Sequence, residues 1–483
     1  MDLMIPLNTR SEKPLYEQIY QYIKDEIRNG SMKPERKLPS TRELAKSLKV
    51  SRSTTQLAYE QLISEGYVEA VPRKGYFAAG LDGLLPPVGG ENPGKEPEKA
   101  KKQAEPRPKK KEETRFNAVD SPLVDFSPRG IDLESFPFST WGKLSRAVLR
   151  EENGLLLKGE PQGDLALREA VRDYLHAARG VNCDVSQLVV GAGNEYLLML
   201  LSQLLGKEAV IAMENPTYRQ AYRVFSALGH PVLPVGMDKS GFRVEELSGK
   251  TVRAAYVMPS HQFPMGVVMP VRRRQELLAW AAAKPGRFLI EDDYDSEFRY
   301  KGKPIPALQG MDRNGSVIYM GTFSKAIAPA IRVGYLVLPK PLLEKYRETA
   351  GFYSSTVSRV DQQLLSRFIS GGYFERHLNR MREIYKGKHD VLLAALKPLE
   401  AEFSLAGEYG GLHVLLKNRR GRTEKELLEA ARAAGVRVYG LSGFFMEPGG
   451  ETHTVVLGYA SLKEEEIKEG AGLLLKAFLP ERM

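Results

Sequence analysis

Lys325 is the residue whose surroundings most clearly suggest chemistry. It closes the segment Gly321–Lys325, which follows an apolar run of strand character, and Arg332 stands seven residues further on. A lysine amine in such a place can condense with an aldehyde to form a Schiff base. The segment therefore predicts an aldehyde ligand, provided that other residues of the chain orient it.

Acidic and aromatic residues follow other apolar runs of the chain. The run Phe288–Ile290 is followed by Asp292, which can hold a protonated ring nitrogen, and by Tyr294, which can donate to a phenolic oxygen. Tyr218 comes after another predicted strand and can stack on an aromatic ring. These are the partners that a bound pyridine aldehyde requires.

A phosphate group on that ligand would need several donors close together. Gly193 and Asn194 stand at the start of a predicted helix, where backbone amides can point at an anion. Thr322, Ser324 and Arg332 flank the lysine and add two hydroxyl groups and a guanidinium. Combined with the acid and the aromatic residues, the pattern predicts pyridoxal 5'-phosphate as the cofactor.

The elements that must position these residues occupy positions 119–483. Apolar runs separated by helical stretches occur at 188–190, 209–211, 254–257, 288–290, 316–319 and 334–338. Short buried strands that alternate with helices predict an α/β fold with an open, mostly parallel central sheet. Ligands of such sheets bind at the carboxyl ends of the strands.

Residues 1–80 predict a small domain of another kind. Apolar residues recur at helical spacing in the first helix, at Leu15, Ile19, Ile23 and Ile27. Ser40 and Glu43 have the spacing of a capping box, which predicts a short second helix, and a third helix is expected over 52–65. Residues 67–77 predict a strand, a tight turn and a strand, so the domain is a winged helix-turn-helix.

The small domain carries residues suited to double-stranded DNA. Its third helix begins with small polar side chains, which let backbone amides approach phosphates and base edges. The residues expected to contact DNA are Arg42, Ser51, Arg52, Ser53, Thr54, Thr55 and Gln56, with Arg73 and Lys74 at the tip of the wing. Seven basic residues against two acidic ones between positions 33 and 52 favour the same partner.

Composition limits the remaining possibilities. Residues 81–118 predict a flexible linker, because Pro, Lys and Glu dominate and no large apolar side chain stands between Val88 and Phe116. The single cysteine excludes an intrachain disulfide and fits a reducing cytoplasm. No apolar run approaches the ~18 residues of a membrane span, so we expect no membrane association and a cytoplasmic protein. No metal site is expected.

Two resemblances to known families cover most of the chain. The small domain closely resembles the winged helix-turn-helix of GntR-type bacterial transcription regulators, in the segments Pro14–Gln18, Leu38–Ala45, Val50–Thr54 and Leu62–Tyr67. Residues 120–480 resemble fold-type I, class I aminotransferases, in the segments Ser260–Pro264, Glu291–Phe298, Gly321–Lys325 and Arg332–Tyr335. The combination resembles the MocR/GabR subfamily of GntR regulators.

That resemblance implies several properties. The aminotransferase-like domain is implied to have a smaller C-terminal α/β subdomain beside its central sheet. Lys325 is implied to form the Schiff base with pyridoxal phosphate, and Asp292 to hold the ring nitrogen. The chain is implied to form a homodimer, often head-to-tail in the subfamily, with each small domain resting on the other subunit. The segment Gly159–Gly163 matches one that approaches the active site in such dimers.

Two departures bear on function. Where aminotransferases carry Asn-Pro-x-Gly, this chain has Phe263–Gly266, so His261 or Gln262 is expected to replace the missing amide. The late strand 454–459 lacks the arginine that commonly grips the substrate carboxylate, which leaves Arg437 and Arg219 as alternatives.

The leading functional hypothesis is a transcription regulator that binds operator DNA as a homodimer. It would sense an amino compound, or pyridoxal phosphate itself, through the pocket around Lys325. The alternative is a catalytically active aminotransferase with an accessory DNA-binding domain. The residues around the lysine keep that alternative open, and the missing late-strand arginine counts against efficient amino-acid transamination.

Overall fold

The computed structural model divides the chain into two compact units, residues 1–112 and 113–483. It describes residues 5–7, 13–29, 31–33, 35–48, 50–64, 67–71, 74–78, 123–151, 153–300, 306–407, 410–447 and 451–479. The predicted linker at 81–118 and Arg73 of the predicted wing lie outside the described residues. The boundary between the two units falls within the segment that the sequence marks as a linker.

The small unit has three helices and a three-stranded antiparallel sheet. Its helices are α1 (Leu15–Arg28), α2 (Thr41–Leu48) and α3 (Arg52–Ser64), and its strands are β1 (Lys37–Leu38), β2 (Val68–Val71) and β3 (Gly75–Ala78). The strand order is β1-β3-β2, so the hairpin is joined by a short strand that the sequence did not reveal. The predicted capping box is present: the amide of Ser40 donates to Glu43 Oε2 at 2.9 Å, and the amide of Glu43 donates to Ser40 Oγ at 3.2 Å.

The large unit contains the strands and helices that carry the candidate site. Its strands are β4 (Val124–Asp125), β5 (Leu188–Gly191), β6 (Ile211–Glu214), β7 (Val232–Val235), β8 (Met237–Asp238), β9 (Gly241–Phe242), β10 (Ala254–Val257), β11 (Phe288–Asp293), β12 (Val317–Thr322), β13 (Gly334–Val337), β14 (Phe403–Ala406), β15 (His413–Asn418), β16 (Val436–Arg437), β17 (Tyr439–Gly440) and β18 (Thr454–Gly458). Its helices are α4 (Phe138–Glu151), α5 (Leu165–Arg179), α6 (Asn194–Leu205), α7 (Arg219–Ala227), α8 (Val271–Ala282), α9 (Lys340–Thr349), α10 (Arg359–Ser370), α11 (Tyr373–Leu396), α12 (Glu424–Ala433) and α13 (Glu464–Phe478).

Seven of these strands form the central sheet, in the order β5-β13-β12-β11-β10-β6-β7. Neighbouring strands are parallel except around β13, which runs antiparallel to both β12 and β5. The prediction of a mostly parallel sheet is confirmed, and the six predicted apolar runs all lie in it or at its strand ends. The edge strand β7 was not predicted, because Pro234 interrupts its apolar pattern.

Helices cover both faces of this sheet. The strand β10 shows why: Ala254 and Tyr256 pack against α6, α7 and α9, whereas Ala255 and Val257 pack in the core that includes α8. On that second face α5 and α10 pack against the neighbouring strands. Strands buried on both sides can be apolar at every position, which is the pattern of the sequence. Within the described ranges, no helix is long and apolar enough to cross a membrane.

A second, antiparallel sheet of order β14-β15-β18-β17 forms the predicted smaller α/β subdomain with α12 and α13. The start of the large unit also belongs here, since Val124 and Phe126 pack in the same core and the amide of Gly458 donates to the backbone oxygen of Phe126 at 2.9 Å. The loop that leaves β4, Ser127–Gly130, therefore lies beside the end of β18.

Candidate functional site

The predicted site residues come together at one edge of the central sheet. The strands β5, β6, β11 and β12 run in the same direction, so their carboxyl ends meet there. The helix start at Gly193, Tyr218, Asp292 and Lys325 each follow or close one of these strands. Residues up to 132 positions apart are thus collected by the parallel topology alone.

Asp292 is the buried acid of the site. Its Oδ2 accepts hydrogen bonds from the hydroxyl of Tyr256 and from Asn194 Nδ2, the latter at 3.4 Å. Its Oδ1 is also buried and has no hydrogen-bond partner in the described part of the chain. Burial raises the pKa of Asp292 to about 7. An unpartnered buried carboxylate oxygen costs free energy, so the site is built to receive a donor here.

Lys325 is the amine of the site. Its Nζ donates to the backbone oxygens of Pro128, Arg129 and Gly130 at 3.2, 2.9 and 3.3 Å. Burial lowers the pKa of Lys325 to about 8, against the weaker opposing influence of Asp295. A substantial neutral fraction near neutral pH makes this amine a nucleophile, which condensation with an aldehyde requires.

The start of α6 and Arg332 form the predicted anion-binding corner. Gly193 has a φ of +83°, and a Cβ there would lie 2.7 Å from Arg332 Cζ, so only glycine fits. Arg332 Nη2 donates to the backbone oxygen of Ala192 at 3.2 Å and to Glu195 Oε2 at 2.7 Å. The backbone amides and the guanidinium therefore lie close together, as the sequence predicted.

Three other residues were predicted for this corner: Asn194, Thr322 and Ser324. The Asn194 side chain is turned toward Asp292, which leaves its Oδ1 buried and unpartnered among the described residues. Thr322 and Ser324 are half-buried on either side of Phe323, whose ring packs in the core.

An aromatic and histidine cluster lies beside the acid. The rings of Tyr218 and Phe263 meet edge-on at 6.4 Å, and those of Phe263 and Tyr294 at 5.9 Å. The Tyr294 hydroxyl, predicted to donate to a ligand oxygen, lies 2.9 Å from His261 Nδ1. His261 Nδ1 also faces Asp295 Oδ2 at 2.9 Å. The network holds the imidazole in one orientation.

The two residues predicted to replace the missing amide differ in whether they have a nitrogen free to bind a ligand. Gln262 Nε2 donates to the backbone oxygen of Pro216 at 2.9 Å and to Glu214 Oε2 at 3.2 Å. His261 Nε2 is buried and unpartnered within the described residues. The imidazole is thus the group with a nitrogen left for a ligand.

Sequence reasoning missed three residues of the site: Tyr256, Asp295 and Glu214. Tyr256 donates to Asp292 Oδ2, and Asp295 orients His261. Burial raises the pKa of Glu214 to about 8. The signal for Tyr256 was available, because a tyrosine inside an otherwise aliphatic strand needs a partner for its hydroxyl.

Both alternative arginines have a partner in the structure, although the buried Nε of Arg219 has none among the described residues. Arg437 Nη1 lies 3.8 Å from Asp125 Oδ2, and its guanidinium stacks 5.4 Å above the Tyr439 ring. Arg219 Nη1 donates to the backbone oxygen of Gly443 at 3.3 Å.

In the small unit, the start of α3 presents most of the predicted DNA-contacting residues. Arg42, Ser51, Arg52, Ser53, Gln56 and Lys74 are exposed, and Thr54 is half-buried. Ser51 caps the helix by accepting from the amide of Thr54 at 3.1 Å. The prediction for Thr55 is wrong: its side chain is fully buried and donates to the backbone oxygen of Thr41 at 2.8 Å. Thr55 faces inward because it lies on the side of α3 that packs on α2.

The burial of Asp292 has a consequence for stability. Between the usual pKa of 3.8 and the folded value of about 7, the folded chain keeps a proton that the unfolded chain loses. The contribution of Asp292 to the free energy of unfolding is therefore full below pH 4 and is lost as the pH rises to 7. Asp292→Asn, which cannot ionise, should equal the wild type near pH 4. At pH 8 it should exceed the wild type by up to about 4 kcal/mol.

Denaturant unfolding of the ligand-free chain from pH 4 to pH 8 measures this difference. Tryptophan fluorescence reports the large unit alone, since Trp141 and Trp280 both belong to it. Parallel pH profiles of the two proteins would contradict the assignment of a buried, raised-pKa acid.

Comparison with known proteins agrees with both units. Residues 135–474 match the family model "Aminotransferase class I and II", and residues 15–77 match "Bacterial regulatory proteins, gntR family". The chain is 38% identical to the HTH-type transcriptional regulator YhdI of Bacillus subtilis (strain 168), over 99% of each chain. It is 32% identical to the probable rhizopine catabolism regulatory protein MocR of Rhizobium meliloti, over 99% of this chain and 96% of that one.

Among solved structures, the large unit is similar to the multiple substrate aminotransferase of Thermococcus profundus. The TM-score is 0.66 at 28% identity, over 74% of this chain and 91% of that one. The similarity to regulators extends over the full length of the chain and so covers both units. The chain belongs to the MocR/GabR subfamily of GntR-type transcription regulators, in which a helix-turn-helix domain is joined to an aminotransferase-like domain.

Proposed function

We propose that this regulator binds pyridoxal phosphate at the sheet edge around Lys325 and uses it to sense a small molecule. The observation that carries the proposal is the unpartnered, buried Oδ1 of Asp292 on the same edge as an amine of lowered pKa. When bound, pyridoxal phosphate supplies an aldehyde for a Schiff base with a primary amine.

Each remaining part of the site suits the same ligand. Asp292 would accept from the ring nitrogen, Lys325 would hold the aldehyde carbon, and Tyr218 would lie against the ring. The amides at Gly193 and Asn194, with Thr322, Ser324 and Arg332, would hold the phosphate. Tyr294 and His261 would face the phenolic oxygen, and the free Nε2 of His261 makes it the better substitute for the missing amide.

We infer that the small unit binds operator DNA through the start of α3 and the wing. The exposed cation of Arg52 and the hydroxyls of Ser51 and Ser53 stand at the helix end that DNA-reading helices insert into the major groove. Arg42 and Lys74 extend the basic surface to α2 and to the wing.

We also infer a homodimer, with a head-to-tail arrangement as in the subfamily. Several large apolar side chains near the start of the large unit are exposed: Leu133, Phe138, Leu149, Leu156 and Leu157. Leu156 is 82% exposed, which a lone subunit would not favour in so apolar a stretch. A second copy would cover these side chains, and two DNA-binding units would then read two half-sites.

Sensing follows from the position of Lys325. An amino compound that takes the place of the Lys325 amine on the cofactor would leave Nζ to the three carbonyls of Pro128–Gly130. Where pyridoxal phosphate itself is the signal, its attachment to Lys325 would instead draw Nζ away from them. Either one regulates if it binds two states of the chain with different affinity.

An active aminotransferase is the second candidate, because the acid, amine and aromatic residues of such an enzyme are all present at one edge. The missing arginine of β18 argues against it. One experiment separates the two: purified protein with pyridoxal phosphate is given a panel of amino acids with a keto-acid acceptor. We expect changes in operator binding and cofactor absorbance with little or no product. Multiple turnovers at ordinary enzyme rates, ~1 per second or faster, would establish the enzyme instead.

A further inference from the structure

The loop Ser127–Gly130 packs against the end of β18, the strand that lacks an arginine. A Cβ on Gly458, at the end of β18, would lie 2.2 Å from the backbone oxygen of Ser127 and 2.4 Å from Pro128 Cα. A Cβ on Gly130 would lie 2.4 Å from Ser461 Oγ. Position 458 at the end of β18 is therefore closed against this loop, and only glycine fits there.

The same loop lies at the reactive amine. Lys325 Nζ donates to the backbone oxygen of Arg129 at 2.9 Å, and to those of Pro128 and Gly130. The charge of Arg129 also contributes to lowering the pKa of Lys325, and it opposes the rise in the pKa of Tyr218. The Arg129 guanidinium is thus within electrostatic reach of both the amine and the aromatic face of the site.

Arg129 has no ion pair or side-chain hydrogen bond within the described part of the chain, and it is exposed. Arg332 pairs with Glu195 and Arg437 with Asp125, whereas Arg219 donates from Nη1 to the backbone of Gly443 and has a buried Nε without a partner among the described residues. A guanidinium held on a packed loop without a partner is suited to a carboxylate, which it can bind with two parallel hydrogen bonds.

We propose that Arg129 is the residue that recognises the effector, and that the effector is a primary amine that also carries a carboxylate. This inference rests on the proposed sensing function. The amine would reach the position of Lys325 Nζ while the carboxylate lies on Arg129. In this arrangement the loop Ser127–Gly130 supplies the carboxylate-binding residue in place of the absent late-strand arginine. Effector binding then contacts the segment that joins β4 to the rest of the large unit.

The test compares carboxylated amines of two to six carbons with their carboxamides, by titrating the absorbance of the pyridoxal phosphate-bound protein. The wild type should prefer at least one carboxylate over its amide. Arg129→Met should weaken the binding of that carboxylate at least about tenfold, because one charge-assisted contact is lost. The affinity for the amide should stay unchanged. Arg437→Met is the matched control and should behave as the wild type.

A second readout does not depend on the effector. In the cofactor-free protein, removal of the Arg129 charge should raise the pKa of Lys325, whereas Arg437→Met should not. The pKa of Lys325 is measured from the pH dependence of its acylation, followed by mass spectrometry.

The outcomes separate the two proposals. If Arg219→Met rather than Arg129→Met removes the preference, or if Arg129→Met weakens acid and amide equally, the role of Arg129 is overturned while sensing stands. If no amine changes the wild-type spectrum, the role of Arg129 and the sensing of an amino compound both fail, and pyridoxal phosphate itself is left as the sensed molecule.

Discussion

Lys325→Ala should lose covalent attachment of pyridoxal phosphate and every response of operator binding to effector. The reason is chemical, because Lys325 supplies the amine that would hold the aldehyde carbon at this edge. Borohydride reduction followed by peptide mass spectrometry should find the adduct on Lys325 in the wild type and none in the variant. Operator affinity in the absence of effector should change less than about twofold, since the small unit keeps its own core.

Two further variants exclude indirect effects. Lys325→Arg keeps a positive donor for the carbonyls of Pro128–Gly130 but cannot form the Schiff base, so it should fail as Lys325→Ala does. Lys340→Ala, an exposed lysine at the start of α9, should behave as the wild type. A Lys325→Arg protein that still responds normally to effector would show that sensing does not use the Schiff base.

Arg52→Ala should weaken operator binding about tenfold or more while cofactor absorbance stays unchanged. The exposed guanidinium at the start of α3 is positioned for a phosphate or for a guanine edge, and either contact is worth about 1–3 kcal/mol. A phosphate contact would also reduce the salt dependence of the binding constant by about one unit of slope. Fluorescence anisotropy on operator DNA selected from a random pool, at several salt concentrations, measures both.

The control for Arg52 is Arg272→Ala. Arg272 is exposed on α8 of the large unit and pairs with Glu276 at 3.2 Å within its own helix. The Arg272→Ala substitution removes the same charge from the chain and leaves the small unit unchanged. Equal affinities of the Arg52 and Arg272 variants would refute the assignment of α3 as the DNA-reading helix.

Much of the fold was predictable because it depends on local pattern. The capping box of Ser40 and Glu43, the helix that follows it, and the apolar strands of the central sheet appear where the spacing places them. The failures have physical causes. The strand β1 has two residues, too few for a pattern, and its pairing with β3 joins residues 38 and 40 positions apart. Thr55 reads as polar, yet its hydroxyl is satisfied inside by a backbone oxygen of α2.

The site was predictable to the level of which residues meet. Parallel strands bring their carboxyl ends to one edge, so Asp292 and Lys325 had to converge with the helix start at Gly193. Their individual partners were not predictable. Asn194 donates to Asp292, Arg332 pairs with Glu195, and Tyr256 approaches Asp292 from the neighbouring strand.

The sequence alone determined that the chain has a winged helix-turn-helix unit and an aminotransferase-like unit, and that an amine, an acid and an aromatic ring share one sheet edge. Hydrophobic period, capping and strand direction are local properties, and they are enough to predict the two units and the residues that meet at this edge. Only the tertiary structure decided that the loop Ser127–Gly130 closes the end of β18 and places Arg129 beside Lys325. Contacts between residues almost 200 positions apart depend on how whole elements pack, which no local spacing encodes.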